Sequence, residues 1–306
     1  MSRLQQTIAQ PAALQGIGFL TGADVTMRFR PAPENHGIAF CRVDCAGAPL
    51  ISACVDNIIP CDRRTVIEKN GVRVELIEHV MAALAGLQID NCIVELNAPE
   101  PPGCDGSSRE FAYLLLEAGI VPQNEPRAAY EIGGAVHVRS SDGLSTTDKQ
   151  ILAQPSSRKC LTISYDLDYG AGSLIPRQSL TLNITPQTFV SELAFCRTFV
   201  LESEVAALKA QGFGTRVTTQ DILVFGERGV VDNELRVVDE CVRHKILDCV
   251  GDLALVGCDL YGYVSAYRSG HRLNQDLARQ LHELRLQSHA EGHSEEHPAH
   301  RRNKAA

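Results

Sequence analysis

The chain has 306 residues, 44% of them hydrophobic and 22% charged, which is an ordinary globular composition. A formal net charge of −8 and the lack of Trp argue against a nucleic-acid surface or a base-stacking platform. No run of about 18 apolar residues is present to span a membrane. The opening Met1-Ser2-Arg3-Leu4-Gln5-Gln6 lacks the apolar core of a signal peptide, so a cytoplasmic protein is expected.

In chain order, residues 18–44 read as a hairpin. Val25 to Arg30 alternates, Pro31 to Gly37 is turn-like, and Ile38-Ala39-Phe40 resumes a strand. Arg73 to Leu76 reads as a short strand, and the Ala-rich run Glu78 to Leu87 as a helix. Asp90-Asn91 turns the chain into a strand at 92–96. Pro99 to Gly103 is a loop, and Gly106-Ser107-Ser108 starts a helix running to Ala118. Pro122 to Pro126 reads as a linker. Strands recur around 135–139, 160–166 and 179–184. The stretch from Leu201 to Val231 then interrupts the pattern, with a helical piece at 203–211 and apolar Ile222 to Phe225. An insert over a site and an ordinary αβ excursion both fit it. A helix over Asp239 to Val256 and a strand over Leu260 to Tyr267 follow. The tail from Gln287 reads as disordered, and its His289, His293, His297 and His300 as solvated.

Helix-then-strand at 78–96 echoes helix-then-strand at 240–267. This predicts an α+β fold with two similar domains, 1–124 and 125–286, an insert at about 200–231 and a tail at 287–306. Eleven cysteines contain no C-x-x-C pair, so a zinc ribbon fails on spacing. They read as reduced, mostly buried small side chains.

Three short stretches carry the polar residues that chemistry needs. In Val242 to Asp252, His244, Asp248 and Asp252 recur every four residues and so form one stripe on an otherwise apolar helix. A His and a carboxylate at this spacing reach one metal ion. On spacing alone, a solvent-facing pair is the commoner meaning. Glu78-His79 sits where a strand meets a helix. If His79 ligates a metal, Glu78 lies beside the ion as a base, as in the H-E-x-x-H proteases. A Glu-His pair by itself is common. Ser269-Gly270-His271 places a His on a Gly-hinged loop after a strand, a fit for acid–base work and equally for a surface loop. Catalytic zinc takes three protein ligands and keeps one position open, and an N/N/O donor set suits Zn²⁺ better than magnesium.

These residues fall within a longer series. It includes Thr21-Gly22, Arg30-Pro31-Ala32-Pro33, Glu78-His79, Ala82 to Gly86, Asp90-Asn91, Glu95 to Glu100, Asp105-Gly106-Ser107, Arg197-Thr198-Phe199, Val242-Arg243-His244-Lys245, Leu247-Asp248, Gly251-Asp252 and Ser269-Gly270-His271. In this order, from about Gly16 to about Leu277, the chain resembles the UDP-3-O-acyl-N-acetylglucosamine deacetylases of lipid A biosynthesis. The resemblance implies two sheets with the helices sandwiched between them. It implies hydrolysis of the N-acetyl group of an acylated UDP-sugar, with zinc as cofactor; a monomer is expected, although the sequence itself does not give the oligomeric state. It assigns His79, His244 and Asp248 to the metal, Glu78 to the general base and His271 to the general acid, oriented by Asp252. Thr198 supports the oxyanion, and Lys245 and Phe199 contact substrate. Leu20 stands where the family usually has His. The run after Phe199 also departs from the family's usual Gly-rich pattern, and Val205, Leu208, Phe213 and Ile222 there are candidates to line an acyl-chain passage.

Overall fold

The computed structural model of the chain describes residues 2–140 and 149–295, with side chains through residue 288. After β1 (Leu4–Ile8), the first half contains β2 (Ala12–Ile17), β3 (Asp24–Pro31), β4 (Ile38–Arg42), β5 (Ile51–Ser52), β6 (Ile58–Ile59), β7 (Val66–Lys69) and β8 (Val72–Glu75). Then come α1 (Glu78–Gly86), β9 (Cys92–Leu96) and α2 (Arg109–Glu117). The second half runs through β10 (Ile120–Pro126), β11 (Ala129–Glu131), β12 (Val136–Arg139), β13 (Gln150–Gln154), β14 (Leu161–Leu167) and β15 (Gln178–Asn183). It continues with α3 (Pro186–Thr188) and a π turn at Phe189–Leu193, then β16 (Phe199–Leu201), α4 (Glu202–Ala210), β17 (Leu223–Gly226) and β18 (Gly229–Val230). Last are α5 (Glu240–Leu253), β19 (Asp259–Tyr267) and α6 (His271–Glu295).

The two main sheets share one plan. The first has strand order β2-β3-β9-β4-β5 and the second β12-β13-β19-β14-β15, with β11 added beside β19. Along each order the pairs are antiparallel except one: β4 with β9, and β14 with β19. In each half a helix leads into the central strand, α1 into β9 and α5 into β19. Each half also carries a small three-stranded insert before that helix, β6-β7-β8 in the first and β16-β17-β18 in the second. The echo between 78–96 and 240–267 is therefore a topological repeat.

Three local expectations change. Residues 18–44 contain both expected strands, but β3 and β4 do not pair, because β9 lies between them. Residues 122–126 are strand rather than linker. They belong to β10, which pairs antiparallel with β1 in a two-stranded ribbon, where Pro is tolerated along an unpaired side. His271 opens a long helix instead of sitting on a loop. Leu273, Leu277, Ala278 and Leu281 recur on one buried face of α6, which packs on β12 and β13. That helix continues through Glu295, so residues 287–295 extend it. Residues 296–306, with His297 and His300, lie outside the described residues.

A single core joins the inward residues of both sheets to the helices between them. On β3, Val25, Met27 and Phe29 point in while Thr26, Arg28 and Arg30 face solvent. Full burial of side chains such as Phe29, Phe40 and Val94 contributes roughly 1.5–3 kcal/mol each. α1 is buried almost all round, as an Ala-rich helix with Val80, Met81 and Leu84 permits, and it packs on α5. Their crossing is close because Gly251 has no side chain: a Cβ there would lie 2.1 Å from the carbonyl oxygen of Glu78. The eleven cysteines are all unpaired; five are buried and six half-buried. At the far end of α1, Arg3 bridges Asp90 at 2.6 Å and Asp259 at 2.8 Å, and Arg127 meets Asp90 at 2.9 Å.

Candidate active site

The polar stripe of α5 faces the N-terminus of α1 across the crossing at Gly251. Both helices that carry the acid–base residues are entered through a left-handed residue. Leu76 (φ 54°) separates β8 from α1, and Arg268 (φ 52°) separates β19 from α6. A non-Gly residue in this region costs roughly 1–2 kcal/mol. The cost is met by surrounding structure, and the sharp turns aim Glu78 and His271 inward, 2% and 8% exposed.

His79, His244 and Asp248 bring their ligand atoms within 4.8 Å of one another. His79 Nε2 lies 3.7 Å and His244 Nε2 3.4 Å from the same oxygen, Asp248 Oδ1. That oxygen is buried and has no hydrogen-bond donor. His244 Nδ1 donates to the carbonyl of Cys196 at 3.0 Å, which leaves its Nε2 lone pair free for a cation. Burial pushes His244 down to about 3, so it is neutral, as a ligand must be. Burial opposes charge on Asp248, but the cationic Lys245 and His271 outweigh it and hold the carboxyl well below the usual range. Two imidazoles and an orphaned carboxylate oxygen converging on one point fit a divalent metal. The expected ligand set is therefore brought together by α1 and α5.

Glu78 and His271 flank this point. Glu78 Oε2 accepts the backbone N–H of Thr65 at 3.0 Å, while Oε1 lies 3.8 Å from His271 Nε2. Burial raises the carboxyl of Glu78 above its ordinary value, against the opposing pull of His271 and His79. His271 Nδ1 donates to Asp252 Oδ2 at 2.9 Å. Burial works against the imidazolium, but Asp252, Asp248 and Glu78 together lift His271 to about 9. At neutral pH the ring is thus a cation with its Nε2 proton facing the metal group.

The remaining expected residues stand around this centre. Lys245 Nζ donates to Asp248 Oδ2 at 2.6 Å. Burial alone would neutralise Lys245, but Asp248 and nearby Tyr165 hold it well above the ordinary lysine value. Phe199 meets the His244 ring edge-on at 6.1 Å. Thr198 precedes it at the root of the second insert, and its N–H donates to Gly106 in the Asp-Gly-Ser turn. Val205, Leu208, Phe213 and Ile222 are half-buried along that insert. Leu20 is half-buried too, and its amide, with that of Thr21, donates to the fully buried Glu100.

Several residues that sequence reasoning missed complete the site. Asn274 donates to Asp252 Oδ2 at 2.9 Å and Gln275 to the Thr65 hydroxyl at 2.8 Å. Both lie one helical turn beyond His271, a spacing that reading 271–281 as a helix would have exposed. Arg197 and Glu240 form a buried bidentate pair, with contacts of 2.8 and 3.0 Å, behind Cys196 and Thr198. Thr65 has no such local signal, because its partners lie far away in the sequence.

A family profile described as UDP-3-O-acyl N-acetylglycosamine deacetylase matches residues 5–283. The UDP-3-O-acyl-N-acetylglucosamine deacetylase of Myxococcus xanthus is 38% identical over 278 residues, covering 90% of this chain and 86% of its own length. The proteins of the same name from Citrifermentans bemidjiense and Actinobacillus succinogenes are 38% and 35% identical, each over 90% of this chain and 88% and 89% of their own lengths. Matches of this identity and extent, over a chain whose α1, α5 and α6 converge on one metal-fitting centre, show that it belongs to the UDP-3-O-acyl N-acetylglycosamine deacetylase family.

Proposed function

We infer that this chain hydrolyses the N-acetyl group of UDP-3-O-acyl-N-acetylglucosamine, giving acetate and UDP-3-O-acyl-glucosamine, the committed step of lipid A biosynthesis. Family membership carries the activity. The observation that ties it to this site is Asp248 Oδ1, buried without a donor and faced by two imidazole nitrogens. We assign the metal as zinc, held by His79, His244 and Asp248, because two imidazoles and one carboxylate suit it. When bound, the metal supplies Lewis acidity to the amide carbonyl and to a water.

The chain's own residues then divide the proton work. Glu78 takes a proton from the attacking water on Oε1, since Oε2 is engaged by Thr65. His271 gives its Nε2 proton to the departing nitrogen as the carbon–nitrogen bond breaks, with Asp252 holding the ring through Nδ1. Thr198 donates to the oxyanion as the tetrahedral carbon forms. Lys245 and Phe199 bind substrate, and the half-buried apolar side chains of the second insert receive the acyl chain. We propose that the enzyme acts as a monomer. We take 1–124 and 125–286 as the two domains, in keeping with the repeated strand order. Among the described residues no helix is long and apolar enough to cross a membrane; a cytoplasmic location agrees with eleven unpaired cysteines.

The test is acetate release from the acylated UDP-sugar by the purified chain, before and after chelation and after Zn²⁺ is restored. Loss on chelation with recovery on zinc is expected. Turnover that survives complete metal removal would refute the assignment of a catalytic metal.

A further inference from the structure

Thr65 is fully buried just before β7, at the base of the first insert. It touches both sides of the proton-transfer machinery. Its backbone N–H donates to Glu78 Oε2 at 3.0 Å, and its hydroxyl donates to Asp252 Oδ1. Gln275 Nε2 donates to that hydroxyl at 2.8 Å. A hydroxyl has one proton and two lone pairs. With Gln275 filling a lone pair, the proton is left for Asp252. Asp252 then has a distinct partner on each oxygen: Thr65 on Oδ1, and His271 and Asn274 on Oδ2.

The segment before Thr65 is itself held from two directions. Arg64 binds Glu75 at 2.8 Å and lies over the ring of Phe213 in the second insert, 5.4 Å from its centroid. Arg63, in the left-handed region at φ 65°, pairs with Glu204 on α4. A backbone conformation that Arg rarely adopts is thus kept in place two residues before the one that contacts Glu78 and Asp252.

We propose that Thr65 is a positioning residue for the hydrolysis: its amide sets the carboxylate of Glu78, and its hydroxyl sets Asp252 and, chiefly through it, His271, whose Nδ1 lies 3.4 Å from the same hydroxyl. One residue fixes the base and the acid relative to each other. This rests on the roles proposed above for Glu78 and His271. A valine at this site has nearly the same shape, keeps the amide and removes only the hydroxyl. Asp252 Oδ1 then has no donor, and the carboxylate that orients His271 loses its second anchor.

The experiment compares Thr65→Val and Thr65→Ser in the full, zinc-loaded chain. It measures kcat and KM for acetate release, metal content and Tm. For Thr65→Val we expect kcat to fall about 10- to 100-fold, the size of losing one hydrogen bond to a carboxylate, with KM and bound zinc unchanged. Thr65→Ser should restore kcat to within about threefold, because it returns the hydroxyl. Thr65→Val combined with Asp252→Asn should be little worse than Asp252→Asn alone, since both cut one connection. Wild-type kcat in Thr65→Val, equal loss in the Val and Ser variants, or multiplicative losses in the double variant overturn the proposal. Should Thr65→Val not fold, Gln275→Leu frees the hydroxyl to turn away. A several-fold loss of kcat then supports the role, and an unchanged kcat overturns it. If the assigned activity itself were wrong, the wild-type chain would release no acetate, an outcome distinct from any of these.

Discussion

The charge of Asp252 should set the alkaline limit of the reaction. His271 must be protonated to serve the leaving nitrogen, and its folded value of about 9 exceeds the ordinary 6.5 by a margin worth about 3 kcal/mol. Asp252, 2.9 Å away, is first among the charges that produce this lift, ahead of Asp248 and Glu78 at 3.8 Å. Asp252→Asn keeps an oxygen to accept from Nδ1 but removes the charge. If the whole lift is lost, protonated His271 at pH 8 falls from about nine-tenths to a few per cent, roughly a 30-fold loss of kcat. At pH 6 the loss from charge should shrink to less than about twofold, because a group titrating near 6.5 is still mostly protonated there. A bound cation repels the imidazolium, so the wild-type limb is expected at or below 9. The assay is the pH–rate profile of acetate release for both proteins, with metal content checked in each. A factor lost equally at pH 6 and pH 8 reports orientation rather than charge. An alkaline limb that stays in place in Asp252→Asn would refute the reasoning.

Glu78→Gln should keep its metal yet lose about 10²- to 10⁴-fold in kcat, the range for removing a general base; near wild-type turnover would exclude Glu78 from that role. The wild-type rate should rise with pH through the burial-raised value of Glu78 and fall through that of His271, and the acid limb should be absent in Glu78→Gln. Gly251→Ala places a methyl 2.1 Å from the Glu78 carbonyl, so the helices must separate. A Tm drop corresponding to about 1–3 kcal/mol, together with weakened zinc retention, is expected from thermal unfolding and elemental analysis. Arg197→Met strips the partner from fully buried Glu240 and should cost about 3–5 kcal/mol, seen as a lower denaturant midpoint.

How much of this was legible in the sequence depended on the range of the interactions. α1 and α5 were readable because apolar residues repeat at helical spacing, and β9 and β19 because they follow those helices. The i, i+4 spacing of His244 and Asp248 is a property of one helix and survives without tertiary knowledge. His79 is different. Its place beside Asp248 depends on two helices crossing at Gly251, and only the family resemblance pointed there. The pairing of β3 with β9 instead of β4 was hidden because sequence neighbours were assumed to be sheet neighbours. β10 was hidden because two prolines looked like punctuation, which in a two-stranded ribbon they are not. Thr65 illustrates the limit. A threonine before a strand is unremarkable, and its role arises from Glu78, Asp252 and Gln275, which the fold gathers from three separate helices.

The ion-pair cluster of Arg3, Asp90, Asp259 and Arg127 acts as a rivet at the back of the seam between the two halves. α1 runs from this rivet to the metal group, a length of about 13 Å at the rise of an α-helix. A short helix packed along its length on α5 moves as one body, so a shift at one end is felt at the other. The arginines keep about a fifth of their side-chain surface in solvent, so salt can reach and weaken the rivet. Ionic strength should therefore act on this protein as a mechanical variable. Loosening a contact beyond the far end of α1 should change how firmly Glu78 and His79 are held, read as a salt-dependent kcat or zinc retention that Arg3→Gln mimics at low salt.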